Sequence, residues 1–366
     1  MRALCILLGC SAATAATSDQ LYGLAFSTAH SGHVLAKVDY RYGGISTVSA
    51  APLPFSPDNQ TGSLSVIDII GGIMWYIGRN GTASAKPAGA VLVGVSLANG
   101  AAFCSVPLPC GFGESGSGMS LDLDTFWGEL VISGLHTAGQ KTVRRIVRVT
   151  PVPKSPTCGS PDVVDEIGYA SNLPAFSDSA FNADNNHLYL EVVTDDGQGG
   201  LAEVSMRAAS PANVTILRGP LASSARQLAW SAEPIGERGE PALMSLASAE
   251  KPATGFVLKW FIPGAFPARN ATIVPLDDGG RGLNVQGGKG GTVRAQSQIT
   301  CTHNVWHEVA YTILGAQAAS QPINDVKMML CTVDLRTAKV INAVQLTSPA
   351  GLSSDLATLA WAPRVF

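Results

Sequence analysis

One seven-residue pattern occurs six times along the chain, and its spacing constrains the fold more tightly than any other feature. "VLAKVDY" (Val34 to Tyr40) comes back as "VLVGVSL" (Val91 to Leu97), "RIVRVTP" (Arg145 to Pro151), "GLAEVSM" (Gly200 to Met206), "FVLKWFI" (Phe256 to Ile262) and "MLCTVDL" (Met329 to Leu335). The residues at the fifth place, Val38, Val95, Val149, Val204, Trp260 and Val333, are 57, 54, 55, 56 and 73 residues apart. A fixed period of this kind marks one supersecondary unit that covers its neighbour's apolar face. Within each copy apolar and other residues alternate, as in a strand. Lys37 and Asp39 suggest an acid and base pair, but their sister places hold Gly94, Arg148, Glu203, Lys259 and Thr332, and Ser96, Thr150, Ser205, Phe261 and Asp334. Only the apolar spacing recurs, so the stretch is scaffold.

Further strand patterns flank each copy. "ISTVSAAPL", "NVTILRGPL" and "KVINAVQL" follow; "IMWYIG", "ELVISG", "HLYLEVV" and "EVAYTILG" precede; "LSVIDII", "MSLDLD" and "RQLAW" come before those. Four short strands per period of about 55 residues is the build of a β-propeller blade. The N-terminal unit has room for only three strands, whereas "DLATLAWAPRVF" at the C-terminus is one strand left over, and its "LAW" matches Leu228 to Trp230 in a first-strand place. The last strand is therefore expected to complete the first blade, closing an all-β six-bladed propeller without a bare sheet edge. The long final interval is assigned to "DDGGRGLNVQGGKGG" (277–291), a Gly-rich loop between blades five and six, and to "GAQAASQPINDV" within blade six.

These residues resemble the extracellular propeller superfamily in general. "MLCTVDLRTAKVINAVQL" looks like the strand, turn and strand of many such repeats, and "NNHLYLEV" is similar to their Asx-rich hairpin before an apolar strand. No subfamily is reached. A kelch-type glycine pair occurs once, at Gly71 and Gly72; "SSDLATLAW" lacks the glycine of a sialidase Asp box; no YWTD repeat occurs.

Composition agrees with a turn-rich β protein: 39 glycines, 22 prolines and 46% hydrophobic residues in 366. With 14% charged residues and a net charge of −3 there is no basic field for nucleic acid or an anionic membrane surface. The opening "MRALCILLGCSAATAATSDQ" reads as a signal peptide over residues 1–16, leaving 17–366 as a single domain. Acylation at Cys10 is the weaker reading, because the apolar run before it is short. No stretch has the roughly 20 apolar residues of a membrane span. The sequons at Asn59, Asn80, Asn213 and Asn270 fit a secreted glycoprotein. Cys104, Cys110, Cys158, Cys301 and Cys331 remain after cleavage as disulfide candidates, and their odd number leaves at least one thiol over or bridged between molecules. Cys104 and Cys158 both fall nine residues after a repeat valine, whereas Cys301 and Cys331 fall on strands that are not neighbours and are poorly placed to bond.

Several motifs invite chemistry and lose it on inspection. "GFGESG" (Gly111 to Gly116) has dinucleotide-loop spacing but precedes a strand pattern instead of the required helix. "VQGGKGGT" puts Gly290 where a phosphate loop needs a hydroxyl. "CTHNVWHE" gathers Cys301, His303, His307 and Glu308, soft-metal ligand types at a strand and hairpin, while His30 and His33 lie in a turn on the opposite face. Asp195 and Asp196 read as turn residues. Lys141, Arg144, Arg145 and Arg148 read as a solvated strand edge.

One set remains. Loops entering the first strands of a propeller surround the mouth of its central channel. Here they are expected to carry Glu114, Asn172, Asn284 and Asp355, hard oxygen donors suited to calcium. The set resembles the ligand types of six-bladed calcium-dependent lactonases and esterases. Two readings follow: a secreted binding or interaction module for an extracellular protein, a glycan or a small molecule, or a hydrolase in which calcium polarises a carbonyl at the channel mouth.

Overall fold

In a computed structural model the described residues are 20–57, 64–79, 89–109, 119–138, 141–152, 158–168, 179–193, 199–206, 213–218, 225–235, 240–248, 256–261, 292–295, 300–301, 309–317, 327–334 and 339–362. Every regular element among them is a strand, and six antiparallel sheets result.

The first sheet sets Leu352–Ala362 beside Gln20–Ser27, then Gly32–Val38 and Ile45–Thr47. Its outer pairing joins the two ends of the described chain, with Gln20 opposite Ala362 and Leu21 opposite Trp361. The second sheet contains Ile73–Arg79, Ala90–Ser96 and Ala102–Pro107, the third Ser120–Asp124, Glu129–Ala138, Lys141–Val149 and Pro161–Gly168. The fourth runs Ser179–Asn182, His187–Val193, Gly199–Ser205, Asn213–Arg218; the fifth, Ala225–Ile235, Glu240–Ser248, Phe256–Phe261; the sixth contains Val309–Gln317, Lys327–Asp334 and Lys339–Gln345. The second and sixth sheets have five strands where four are expected. In each, two short strands share the first place: Ser56–Pro57 with Ser65–Asp68 on Ile73–Arg79, and Thr292–Ala295 with Thr300–Cys301 on Val309–Gln317. The fifth has three described strands; residues 262–291, which include the Gly-rich loop, lie outside the described set.

All six copies of the sequence pattern occupy the third place of their sheet. Their marker residues face equivalent partners: Val38 faces Leu21, Val95 faces Met74, Val149 faces Leu130, Val204 faces Leu188, Trp260 faces Met244 and Val333 faces Ala310. The alternation within each strand sends successive side chains to opposite neighbours. In the third sheet, Leu130, Ile132, Val147 and Val149 pack with Trp75, Ile77 and Leu92 of the second, whereas Val131 and Ile146 pack with Phe181, Leu188 and Val204 of the fourth. The first sheet lies likewise between the sixth, through Ala36, Val38 and Leu330, and the second, through Leu35, Met74 and Val93. Full burial of one such side chain contributes roughly 1.5–3 kcal/mol, so both faces of these sheets are stabilising.

The first strands of successive sheets approach one another in order. Leu352–Ala362 meets Ser65–Asp68, which meets Ser120–Asp124, then Ser179–Asn182, Ala225–Ile235 and Thr300–Cys301, which meets Leu352–Ala362 again.

A disulfide joins Cys104, on the last strand of the second sheet, to Cys158, just before the last strand of the third, with Cα atoms 5.5 Å apart. Cys331 is a buried free thiol, and burial pushes its pKa up to about 12. Cys301 lies on a first strand and Cys331 on a third, with Val309–Gln317 between them, as expected. Cys110 lies outside the described residues.

The basic run is corrected by the sheet order. Lys141–Val149 is an interior strand, paired on both sides, and Arg144 is fully buried against the fourth sheet rather than solvated. Arg148, on the same face, reaches across to the Met206 carbonyl at 2.8 Å.

Candidate functional site

The hairpins joining first to second strands present three of the large exposed hydrophobic side chains; Tyr42, also exposed, lies in the turn between the third and fourth strands of the first sheet. Ile70, in the turn of the second sheet, is 95% exposed; Phe126 and Trp127, in the same turn of the third, are 72% and 62% exposed. Local chemistry builds both turns. Asp124 Oδ1 accepts the backbone N–H groups of Phe126 (3.0 Å) and Trp127 (3.1 Å), and its carbonyl accepts that of Gly128 (2.7 Å). Gly128 has φ +68°, which a side chain would disfavour. Asp68 Oδ1 accepts from Gly71 at 2.9 Å in the sister hairpin. The aspartates thus hold these tips from within, while Ile70, Phe126 and Trp127 project. The Phe126 and Trp127 rings meet edge to face, with centroids 5.1 Å apart.

The next hairpin, in the fourth sheet, is polar. Asn182 Oδ1 accepts the Asp184 N–H at 3.0 Å, Asn185 Oδ1 accepts the His187 N–H at 3.1 Å, and Asn186 turns the chain at φ +59°. Asp184 and Asn185 are exposed. Arg148 ties this hairpin to the aromatic one: its guanidinium lies 3.4 Å from Glu129, which follows Gly128 directly, and 3.5 Å from Asn186 Oδ1. Beside it, His187 Nδ1 lies 2.6 Å from Glu203.

At the other end of the same first strands lies a buried polar chain. Arg144 Nη1 donates to Ser133 Oγ at 3.2 Å, Ser133 and Ser120 hydroxyls are 2.6 Å apart, Ser120 bonds Ser179, and Ser179 donates to Asp122 Oδ2 at 2.6 Å. A serine hydroxyl has one proton, so the two charged ends set its direction throughout: Ser133 donates to Ser120, and Ser120 to Ser179. Ser120, Ser133, Ser179 and Arg144 are all at most 1% exposed. This buried arrangement links the third and fourth sheets.

Of the four calcium candidates, Glu114, Asn172 and Asn284 lie outside the described residues. Asp355 lies within the strand Leu352–Ala362 and not in a loop; its N–H donates to Ser353 Oγ at 3.0 Å. Asp355 is exposed, and desolvation by the protein around its carboxyl raises its pKa. Among the described residues no three His, Cys, Asp or Glu side chains converge as a metal site. His303, His307, Glu308, Asp195, Asp196 and the sequons at Asn59, Asn80 and Asn270 also lie outside; Asn213 opens the last strand of the fourth sheet. His30 sits in the turn after the first sheet's Gln20–Ser27, and His33 just inside the next strand, where burial lowers its pKa and its ring meets Phe26 edge to face. The aromatic tip was legible in principle: "TFWG" is what remains between the strands "MSLDLD" and "ELVISG", so its rings have no sheet to pack into.

No family model matches the chain, and no curated protein does. Among solved structures it is similar to TolB from Acinetobacter baumannii, at 10% identity and TM-score 0.52, over 95% of this chain and 67% of that one. A putative TolB from Agrobacterium tumefaciens aligns at 11% identity and TM-score 0.48, covering 95% and 99% of the two chains. The periplasmic gluconolactonase of Pseudomonas aeruginosa aligns at 13% identity and TM-score 0.46, covering 91% and 98%. At such identities the first likeness speaks to the fold alone: the chain has a β-propeller-type, all-β architecture.

Proposed function

We propose that the chain is a six-bladed β-propeller, closed by pairing of its last and first strands, that acts outside the cytoplasm as a binding module. The observation that carries the reading is the exposure of Ile70, Phe126 and Trp127 on equivalent hairpins of neighbouring sheets. Isolated apolar residues on a surface are ordinary, but large ones gathered at one rim mark recognition surfaces. The order in which the six first strands meet supports the ring. The Cys104–Cys158 disulfide supports an oxidising compartment, where such bonds persist.

The test immobilises the secreted protein and measures retention of extracellular proteins and glycans. Replacing Phe126 and Trp127 together by Ser is expected to lower retention about tenfold, a difference of roughly 1.4 kcal/mol. The melting temperature should hold, because exposed substitutions of this kind stay within about 0.5 kcal/mol. Retention that ignores these substitutions rejects the reading.

A further inference from the structure

We propose that the Phe126 and Trp127 hairpin, together with Asp184 on the next hairpin, forms a subsite for a neutral carbohydrate ring. The proposal rests on the binding-module reading and names its ligand class. A pyranose ring offers two different surfaces, a patch of C–H bonds on one face and hydroxyls around its edge. Recognition therefore needs a flat, exposed π-surface with a hydrogen-bond acceptor beside it. The aromatic hairpin supplies the first. In an edge-to-face pair one ring points its edge at the other, so the contact covers one face of the second ring alone, and Phe126 and Trp127 keep most of their surface exposed for stacking.

The fourth-sheet hairpin supplies the acceptor. Asp184 is exposed there, and its backbone N–H is already held by Asn182, so the carboxylate is the part presented outward. Arg148 brings the two hairpins into one neighbourhood, through Glu129 at the base of one and Asn186 at the base of the other. Charge selects among sugars. The described turns 69–72, 125–128 and 183–186 contain no Lys or Arg, and Arg148 is engaged with Glu129 and the Met206 carbonyl. A uronate or sialate would meet Asp184 without a compensating cation, whereas vicinal hydroxyls of a neutral sugar donate to a carboxylate. A protein partner would favour a broader apolar patch with a pocket at its centre; here the apolar surface narrows to hairpin tips beside a polar turn.

The experiment exposes the full secreted chain to an array of neutral and acidic glycans, then titrates it with gluco-, manno- and galacto-hexaoses while following tryptophan fluorescence. At least one neutral probe should bind. Trp127→Ala should weaken it about tenfold and Asp184→Ala about fivefold, with unchanged melting temperatures, while Ile341→Ser, at an exposed place on the last strand of the sixth sheet, should change affinity less than about twofold. The proposal is overturned if no neutral probe binds, if only acidic glycans bind, or if binding ignores both Trp127→Ala and Asp184→Ala. If the probes fail while the Phe126 and Trp127 double substitution still lowers protein retention, the carbohydrate assignment falls and the binding reading stands. If retention is insensitive as well, both fall.

Discussion

The Ser120 and Ser179 hydroxyls hydrogen-bond each other across the junction of the third and fourth sheets, 59 residues apart in sequence. Arg144 at one end and Asp122 at the other polarise this chain in a single direction. Ser179→Ala leaves the Ser120 proton without its acceptor and takes a donor from Asp122. The expected loss is about 1–3 kcal/mol in urea unfolding. A double-mutant cycle with Ser120→Ala should show coupling of at least ~0.5 kcal/mol; additive effects would mean that the two hydroxyls act independently.

The Cys104–Cys158 bond closes a loop spanning 54 residues and staples two sheets. In the chain-entropy account, a loop of that length contributes about 4 kcal/mol by restricting the unfolded chain. Replacing both cysteines by Ala, or adding dithiothreitol, should lower the urea midpoint to a similar extent. An unchanged midpoint in the double variant would place the stability of that junction entirely in its apolar packing.

Cys331 is expected to resist alkylation in the folded protein at pH 8 and to react on unfolding. Its pKa is raised to about 12 by burial, so the folded state holds the thiol proton more firmly than the unfolded chain does. That contribution to stability is complete below the unfolded value near 9 and is lost as pH climbs from there toward 12. Stopped-flow reaction with a disulfide reagent, with and without urea, measures the difference. Rapid native labelling would contradict the burial.

Calcium separates the binding reading from the metal-dependent one. For a binding module, millimolar calcium should leave the melting temperature unchanged. A cation that binds only the folded state at a hundred times its dissociation constant would stabilise by about 2.7 kcal/mol. A rise of that size, abolished by Glu114→Gln and by Asp355→Asn, would transfer the site to the channel mouth.

The periodic part of this fold was legible because packing repeats. Val38 and its sister residues must each lie against a strand on either side, and that demand leaves the same apolar spacing every time. The doubled first strands were not legible, since Ser56–Pro57 is two residues long and Pro57 offers no N–H to extend a ladder. Arg144 misled for a different reason. A guanidinium in a run of basic residues signals solvent by composition, yet the face it occupies depends on the fourth sheet and on Ser133, which lie far from it in pattern. Phe126 and Trp127 are the converse: apolar by type, they count toward a core until the turn at Asp124 is seen to push them out of it.

The pairing of Gln20–Ser27 with Leu352–Ala362 has a consequence for synthesis. Gln20–Ser27 leaves the ribosome long before its partner, and until residues 352–362 emerge one of its hydrogen-bonding edges is bare. A nascent chain stalled or terminated before Leu352 would carry an adhesive edge on Gln20–Ser27, so chaperone capture of this protein should be governed by how promptly translation passes residue 362.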